Sequence, residues 1–224
     1  AGIRALKPDL ILTQALCEVC AVMETDVRAV AARLDTPPQV LTLSATSLDG
    51  VLDDITRVGA ALGIPDEAEE FVAGARMRMR RVHETLKAAQ APRPRVAVIE
   101  WGDPIYAAGH WVPEMVKRAG GIDVLATPGE HSVVKTLEQV RAADPEIILV
   151  APCGYDLPRA IVEAERLLGL PDWQWAKGRQ VFALDANAFA SRPGPRLVDG
   201  IEVMARLFNP QLFSPLDAAF ARAV

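Results

Sequence analysis

The sequence has little cysteine, few aromatic residues and no long apolar run. Three cysteines among 224 residues are too few, and odd in number, for the disulfide framework of a small secreted domain, although one disulfide remains open. No apolar run reaches the roughly 18 residues that a membrane-spanning helix needs. The formal net charge of −5 argues against a nucleic-acid partner, because phosphate binding requires a basic surface.

The motifs of several common enzyme classes are also absent. The chain contains no GxGxxG, no Walker-type lysine motif and no GxSxG. Dinucleotide-dependent, nucleotide-hydrolysing and serine-hydrolase chemistries therefore have no support in the sequence.

What the sequence does contain is a regular alternation of apolar strands and amphipathic helices. The predicted strands cover residues 10–13, 39–43, 96–100, 122–125, 147–150 and 181–184. The predicted helices cover residues 26–34, 47–62, 111–119, 137–143, 157–168 and 196–208. Such alternation predicts an α/β fold with parallel sheets covered by helices.

One long helix interrupts this alternation, from Asp66 to about Ala89. Its apolar residues recur every three or four positions, its first turns are acidic and its later turns are basic, which suits the helix dipole. We therefore expect two Rossmann-like lobes joined by a rigid linking helix. The expected boundaries are 1–64 for the N-terminal lobe, 65–91 for the linking helix and 92–224 for the C-terminal lobe.

Two loops of the C-terminal lobe follow strands and carry polar and aromatic side chains. One is an irregular loop that begins at Asp185 and ends where Pro193 opens a helix; the other covers residues 100–109. Open α/β sheets bind ligands at the carboxyl ends of their strands, so we expect both loops to hold a ligand. For the aromatic rings of residues 100–109, packing in the core is the alternative. The candidate contacts are Trp101, Tyr106, Asn187, Phe189 and Arg192.

The three cysteines leave several interpretations open. Cys17 and Cys20 form a CxxC just after the first strand, and Cys153 also follows a strand. The pair can be a redox couple, half of a metal site, or two small loop residues that form a disulfide or remain apart. Of the histidines, His110 and His131 lie in predicted loops, where either can contact a ligand or have no role.

Taken in order, these segments resemble the vitamin B12- and siderophore-binding proteins of bacterial ABC importers, most closely their cobalamin-binding branch. The resemblance covers nearly the whole chain and includes ALKPDLIL at 5–12, SATS at 44–47 and SRPGPR at 191–196, arranged around the long helix. It implies the class III periplasmic binding protein fold, a ligand held between two lobes, and no catalysis.

The resemblance also implies which residues contact the ligand. Trp101 and Tyr106 match aromatic residues that face the corrin ring, and Arg192 matches an arginine of the last loop. His131 or Ser132 occupies a position where the family can have a tryptophan. In the N-terminal lobe, Gln14 and Thr42 occupy two further such positions.

The same comparison implies a partner and a compartment. Glu138 matches a glutamate that docks on arginines of the membrane permease, and Glu18 is the candidate counterpart in the N-terminal lobe. The family is periplasmic or anchored outside the membrane, although Ala1–Gln14 does not read as a signal peptide. The family also has further strands before the position of Ile3, so we expect this N-terminal lobe to be covered by a partner, such as a second copy of the chain, or to bind ligand poorly by itself.

These expectations give three functional hypotheses. The first is a binding protein that delivers a corrinoid, cobalamin or cobinamide, to a permease, with no other cofactor. The second keeps the fold and replaces the ligand with a ferric siderophore or haem. The third is a redox or metal-binding protein built on Cys17, Cys20 and Cys153.

Overall fold

The computed structural model describes residues 2–16 and 22–224. The chain divides into two compact units, residues 1–72 and 73–224, and the division falls inside the long helix at Pro65–Ala88. The α/β architecture expected from the alternation of strands and helices is confirmed in each unit. Within the described residues, no helix is both long and apolar enough to cross a membrane.

The first unit contains a two-stranded parallel sheet. Its strands pair in register from Leu10 opposite Gln39 to Gln14 opposite Leu43. The last helix before the linking helix begins where the Ser47 hydroxyl accepts a hydrogen bond from the Gly50 N–H at 3.2 Å, a typical N-cap. The elements of this unit are α1 (Ile3–Leu6), β1 (Leu10–Gln14), α2 (Glu24–Ala31), β2 (Gln39–Leu43) and α3 (Leu48–Leu62).

The linking helix, α4 (Pro65–Ala88), has the length that the sequence predicts. Gly63 adopts the left-handed conformation, with φ of 76°, and ends α3, so α4 begins immediately after a sharp turn. Of its predicted apolar positions, Ala68, Ala75, Met79 and Val82 are buried, as the spacing of three and four residues requires.

The second unit is built on a mixed sheet with the strand order β6-β4-β3-β7-β8-β9 and with β5 beside β3. Its strands are β3 (Arg95–Gly102), β4 (Ile105–Ala107), β5 (Ile122–Asp123), β6 (Val133–Val134), β7 (Ile147–Val150), β8 (Gln180–Leu184) and β9 (Ala221–Ala223). Its helices are α5 (Val112–Arg118), α6 (Leu137–Ala142), α7 (Leu157–Gly169), α8 (Ala186–Phe189) and α9 (Leu197–Phe208), with 3-10 turns at Pro171–Gly178 and Pro210–Leu212.

The centre of this sheet is parallel and its edges are antiparallel. Strands β5, β3, β7 and β8 run parallel to their neighbours, whereas β4, β6 and β9 add antiparallel pairs. The parallel sheet predicted from the sequence is confirmed at the centre. The antiparallel edge strands lack the long apolar runs from which that core was predicted.

The core lies around the central strands. Every residue of β7 is at most 3% exposed, because the sheet is covered on both faces, and a strand buried in this way is apolar throughout. α7 packs on β7 and β8, and α5 packs on α9. On α9, Ile201 and Met204 have no exposed surface.

Two segments predicted as irregular loops have regular structure. β3 continues through Trp101 to Gly102 and forms a hairpin with β4, across a cis peptide bond between Asp103 and Pro104. After β8, the Asp185 carboxylate accepts a hydrogen bond from the Ala188 N–H at 2.8 Å and caps α8. Local side-chain capping therefore orders a segment that carries no helical periodicity.

Candidate functional site

The carboxyl ends of β3, β7 and β8 meet at one edge of the second unit. The Cys153 N–H donates to the Glu100 carbonyl at 3.1 Å, which joins the ends of β3 and β7. The Asn187 N–H donates to the Tyr155 carbonyl at 3.0 Å, which joins the segments after β7 and β8. We call this region the carboxyl-end surface; it comprises Glu100, Trp101, Tyr106, His110, His131, Ser132, Cys153, Gly154, Tyr155, Asn187, Ser191 and Arg192.

Aromatic rings occupy the β3 side of this surface. Trp101 is 40% exposed, and its Nε1–H donates to the Asp103 carbonyl at 3.1 Å. Its ring meets the ring of Tyr155 edge to face, with centroids 5.7 Å apart. Tyr106 lies directly opposite Trp101 in the hairpin, so both side chains leave the same face of the two strands. The alternative that Trp101 only fills the core is not supported, since a large part of its indole remains exposed.

Tyr155 is a member of this aromatic group that the sequence analysis did not select. It is half-buried, and the Arg159 guanidinium lies 3.8 Å above its ring, a cation–π contact that holds the ring in place. Trp101 was predicted as a contact because it follows a buried strand. The same criterion applies to Tyr155, which follows β7.

Two histidines lie together near the end of β3, where Ser132, the neighbour of His131, is hydrogen-bonded to Glu100. Nε2 of His110 is 3.1 Å from Nδ1 of His131, and the ring planes are nearly perpendicular. His110 is half-buried and His131 is exposed. The pKa of His110 is held below its usual value, chiefly by burial and then by the neighbouring His131, while Glu100 acts in the opposite direction. A lowered pKa leaves His110 neutral at neutral pH, so one of its ring nitrogens can accept a hydrogen bond.

A short hydrogen-bonded chain fixes the backbone around the histidines. The Ser132 hydroxyl donates to the Glu100 carboxylate at 2.6 Å and accepts from the Gly109 N–H at 3.2 Å. A Cβ on Gly109 would lie 2.3 Å from the Ser132 nitrogen, so only glycine permits this close approach. His110 itself has φ of 54°, a conformation that non-glycine residues adopt rarely.

The loop after β8 contributes less than the sequence analysis expected. Arg192 is exposed and forms no ion pair with any described residue, and Ser191 accepts a hydrogen bond from the Gly154 N–H at 2.9 Å. Asn187 is half-buried. Phe189 is only 7% exposed and packs against Phe220 with ring centroids 5.1 Å apart. Because so little of its ring is accessible, we do not retain Phe189 as a ligand contact.

The predicted contacts of the first unit lie at the ends of its two strands. Gln14 is the last residue of β1 and is half-buried. Thr42 donates from its hydroxyl to Glu24 at 2.6 Å and accepts from Arg28 at 3.0 Å. The hydrogen bond from Thr42, and then that from Arg28, which also donates to Glu24 at 2.7 Å, lower the pKa of Glu24. The Thr42 hydroxyl is therefore part of a local polar cluster.

The predicted docking residue Glu138 lies in the first turn of α6 and is exposed. Its own backbone N–H and the Thr136 hydroxyl both lower its pKa, so it carries a negative charge at neutral pH. Glu18, Cys17 and Cys20 lie outside the described residues. In residues 2–16 and 22–224, no group of three or more histidine, cysteine or acidic side chains could hold a free metal ion.

Comparison with known proteins agrees with this architecture. A family model of periplasmic binding proteins matches residues 2–188. The chain has no match among the curated proteins. A periplasmic heme binding protein from Pseudomonas aeruginosa is similar over 99% of this chain and 79% of its own, with 25% identity and a TM-score of 0.74.

Two further solved structures are similar along most of their length. A protein of an ABC-type Fe3+-hydroxamate transport system from Saccharomonospora viridis has 25% identity and a TM-score of 0.64 over 92% of this chain and 70% of its own. The periplasmic vitamin B12 binding protein of Vibrio cholerae has 22% identity and a TM-score of 0.65 over 93% and 76%. The expected fold class, that of class III periplasmic binding proteins, is thereby confirmed.

Proposed function

The chain belongs to the periplasmic binding protein family, and from this premise we propose that it binds a corrinoid, cobalamin or cobinamide, and delivers it to the permease of an ABC importer. Proteins of this family are periplasmic and carry a small molecule to a permease. We further propose the same compartment for this chain and the carboxyl-end surface as the part of the second unit that receives the ligand.

The observation that carries the proposal is the presence of exposed aromatic and imidazole groups on one surface. The rings of Trp101 and Tyr155 meet edge to face. His131 is exposed and lies near the end of β3, because its neighbour Ser132 is hydrogen-bonded to Glu100 of that strand. A corrin is broad, flat and largely apolar across its faces, and it has a metal ion at its centre. Rings that supply stacking area together with a ligating nitrogen suit such a molecule.

Charge favours a corrinoid over the other ligands of this fold. Haem carries two carboxylates, and ferric siderophores are often anionic, whereas the edge of a corrin carries mainly neutral amides. The carboxyl-end surface includes the Glu100 carboxylate, and Arg192 is its one arginine or lysine. The nearby Arg159 adds one further positive charge, and its guanidinium lies over the ring of Tyr155. A surface with so little positive charge suits amides better than carboxylates.

Haem is the second candidate. The likeness to the Pseudomonas aeruginosa protein covers nearly all of this chain, and a porphyrin shares the flat shape and the central metal ion of a corrin. We do not pursue a redox or metal-binding function based on the cysteines, because Cys153 is the only one of the three among the described residues.

Binding measurements with the purified protein test the proposal. We expect cobinamide or cobalamin to bind in equilibrium dialysis and by calorimetry, and to bind more tightly than haemin. Trp101→Ala should weaken corrinoid binding about tenfold, since removing a partly buried aromatic contact costs on the order of 1.5 kcal/mol. Phe71→Ala removes a ring of similar exposure, 41%, from α4 and serves as the control. Absence of corrinoid binding at high micromolar concentration, together with haemin binding, would replace the first candidate with the second.

We also propose that Glu138 docks on the permease, because it presents a charged carboxylate at an exposed helix start. Association of two chains through the small sheet of the first unit stays a prediction, and sedimentation of the purified protein would test it.

A further inference from the structure

The hydrogen bond between the two histidines couples the tautomers of their rings, and either ring can be the donor. The bond joins Nε2 of His110 to Nδ1 of His131 at 3.1 Å. One nitrogen must donate and the other must accept. When His131 donates from Nδ1 and is neutral, its Nε2 keeps a lone pair. Metal-ligating histidines typically donate their other ring N–H to a fixed acceptor, which sets both tautomer and orientation.

The Nε2 atom of His131 is available to a ligand. The side chain is exposed, and this nitrogen forms no hydrogen bond with any residue that the structure describes. A single imidazole does not make a site for a free metal ion, and the described residues contain no larger ligand group around it. It is sufficient, however, for a metal ion that arrives with four ring nitrogens already bound.

His110 is held by the backbone on both sides. Its N–H donates to the Glu130 carbonyl at 2.6 Å, and its carbonyl accepts from the Gly129 N–H at 2.9 Å. The close approach of Gly109 to Ser132 joins the same two segments a second time. His110 is thus fixed relative to His131 before any ligand binds.

We propose that His131 donates from Nδ1 to Nε2 of His110 and supplies an axial ligand, through its own Nε2, to the metal ion of the transported macrocycle. His110 is then the positioning residue that fixes the tautomer of His131. This inference rests on the proposed function and goes beyond it, because it selects among corrinoids. With a cobalt(III) corrinoid that carries an exchangeable axial water, the Co–O bond to water breaks, a Co–N bond to His131 forms, and water is released with no change in oxidation state. Corrinoids whose two axial positions are blocked lose this contribution.

The test compares two forms of cobinamide by two independent measurements. Diaquocobinamide has exchangeable axial waters, whereas dicyanocobinamide has both axial positions occupied. Equilibrium dialysis reports binding, and the visible absorption spectrum reports replacement of axial water by nitrogen. We expect diaquocobinamide to bind with the spectral change of an imidazole adduct and to bind more tightly than dicyanocobinamide.

Substitutions separate axial ligation from general binding. His131→Ala should abolish the spectral change and remove the preference for diaquocobinamide over dicyanocobinamide. His110→Ala should weaken diaquocobinamide binding about 10- to 100-fold, as loss of such a supporting group usually does. His110→Gln should restore much of it, since the amide oxygen can accept from Nδ1 of His131. His83→Ala removes the remaining histidine, which is exposed on α4, and is the matched control.

Each outcome supports or overturns a distinct statement. Dialysis that shows diaquocobinamide bound to the wild type without the spectral change overturns axial ligation and leaves corrinoid binding in place. The same holds if His131→Ala keeps the spectral change. If no corrinoid binds but haemin binds with a Soret shift that His131→Ala removes, axial ligation stands and the corrinoid assignment falls. If neither macrocycle binds, both fall.

Discussion

Asp123 allows a quantitative prediction about the stability of the second unit. Its Oδ1 accepts hydrogen bonds from the backbone N–H groups of Leu125 and Ala126 at 2.9 and 3.0 Å. Its Oδ2 is buried and has no hydrogen-bond partner among the described residues. Burial raises the pKa of this carboxyl from 3.8 to about 6, although the two backbone bonds and Lys135 act in the opposite direction.

The sign and size of the pH effect follow from this shift. Between pH 3.8 and 6 the folded protein holds a proton on Asp123 that the unfolded chain releases, so the free energy of unfolding falls as pH rises through this window. Below it both states are protonated and the effect is absent. Above it the folded state carries a buried charge, and the accumulated loss is about 3 kcal/mol for a shift of about two pKa units.

Asp123→Asn removes the titration and keeps an oxygen that can accept from both N–H groups. We expect the stability of the variant relative to the wild type to rise by about 2.4 kcal/mol between pH 4 and pH 7, because part of the effect already lies below pH 4. Any constant cost of burying the new amide cancels in this comparison across pH. The same substitution at the exposed Asp172 is the control.

Urea unfolding followed by tryptophan fluorescence measures the free energy of unfolding of the second unit, because all four tryptophans lie in residues 73–224. Titrating groups common to both proteins cancel in the difference between them. If the difference in free energy of unfolding between variant and wild type stays constant from pH 4 to pH 7, the pKa of Asp123 is not raised. If that difference falls as pH rises, the pKa of Asp123 is lowered instead of raised.

Two further predictions concern other charged groups. Glu138→Arg should abolish uptake by the cognate importer without changing ligand affinity. Glu165→Arg, on the exposed side of α7, is the control and should change neither uptake nor affinity. Unaltered uptake in the Glu138→Arg variant would exclude the docking role. Arg78 contacts Asp199 at 2.6 Å and Glu202 at 2.9 Å, so Arg78→Met should lower the free energy of unfolding by about 1 kcal/mol, a modest value because these side chains are partly solvated. The loss should shrink in high salt, and a loss independent of salt would point to packing by the arginine stem instead.

The central strands and the long helix could be predicted because their signals are local. β7 is four consecutive apolar residues, all buried, and α4 shows its apolar spacing over many turns. In both cases the pattern within one segment is enough to specify the element. The short edge strands were missed for the opposite reason: β6 is two residues long, and only pairing with β4 makes it a strand.

The candidate site was predicted less completely, because its contacts join distant parts of the chain. His110 and His131 are 21 residues apart, and Glu100 and Ser132 are 32 residues apart. No sequence spacing indicates either pair. Phe189 shows the converse: its position in a polar loop suggested an accessible ring, but the Asp185 cap forms a helical turn and the ring packs on a residue near the C-terminus.

The left-handed conformation of His110 connects these structural details to binding. A non-glycine residue at φ of 54° costs about 1–2 kcal/mol in local free energy, and here two backbone hydrogen bonds to the 129–130 segment offset that cost. The conformation brings the His110 ring against His131, so the orientation of His131 is fixed by the fold rather than by the ligand. A ligating side chain fixed in advance loses little conformational freedom when its ligand binds. Selection among corrinoids would then depend mainly on whether the axial position of the metal ion can accept nitrogen.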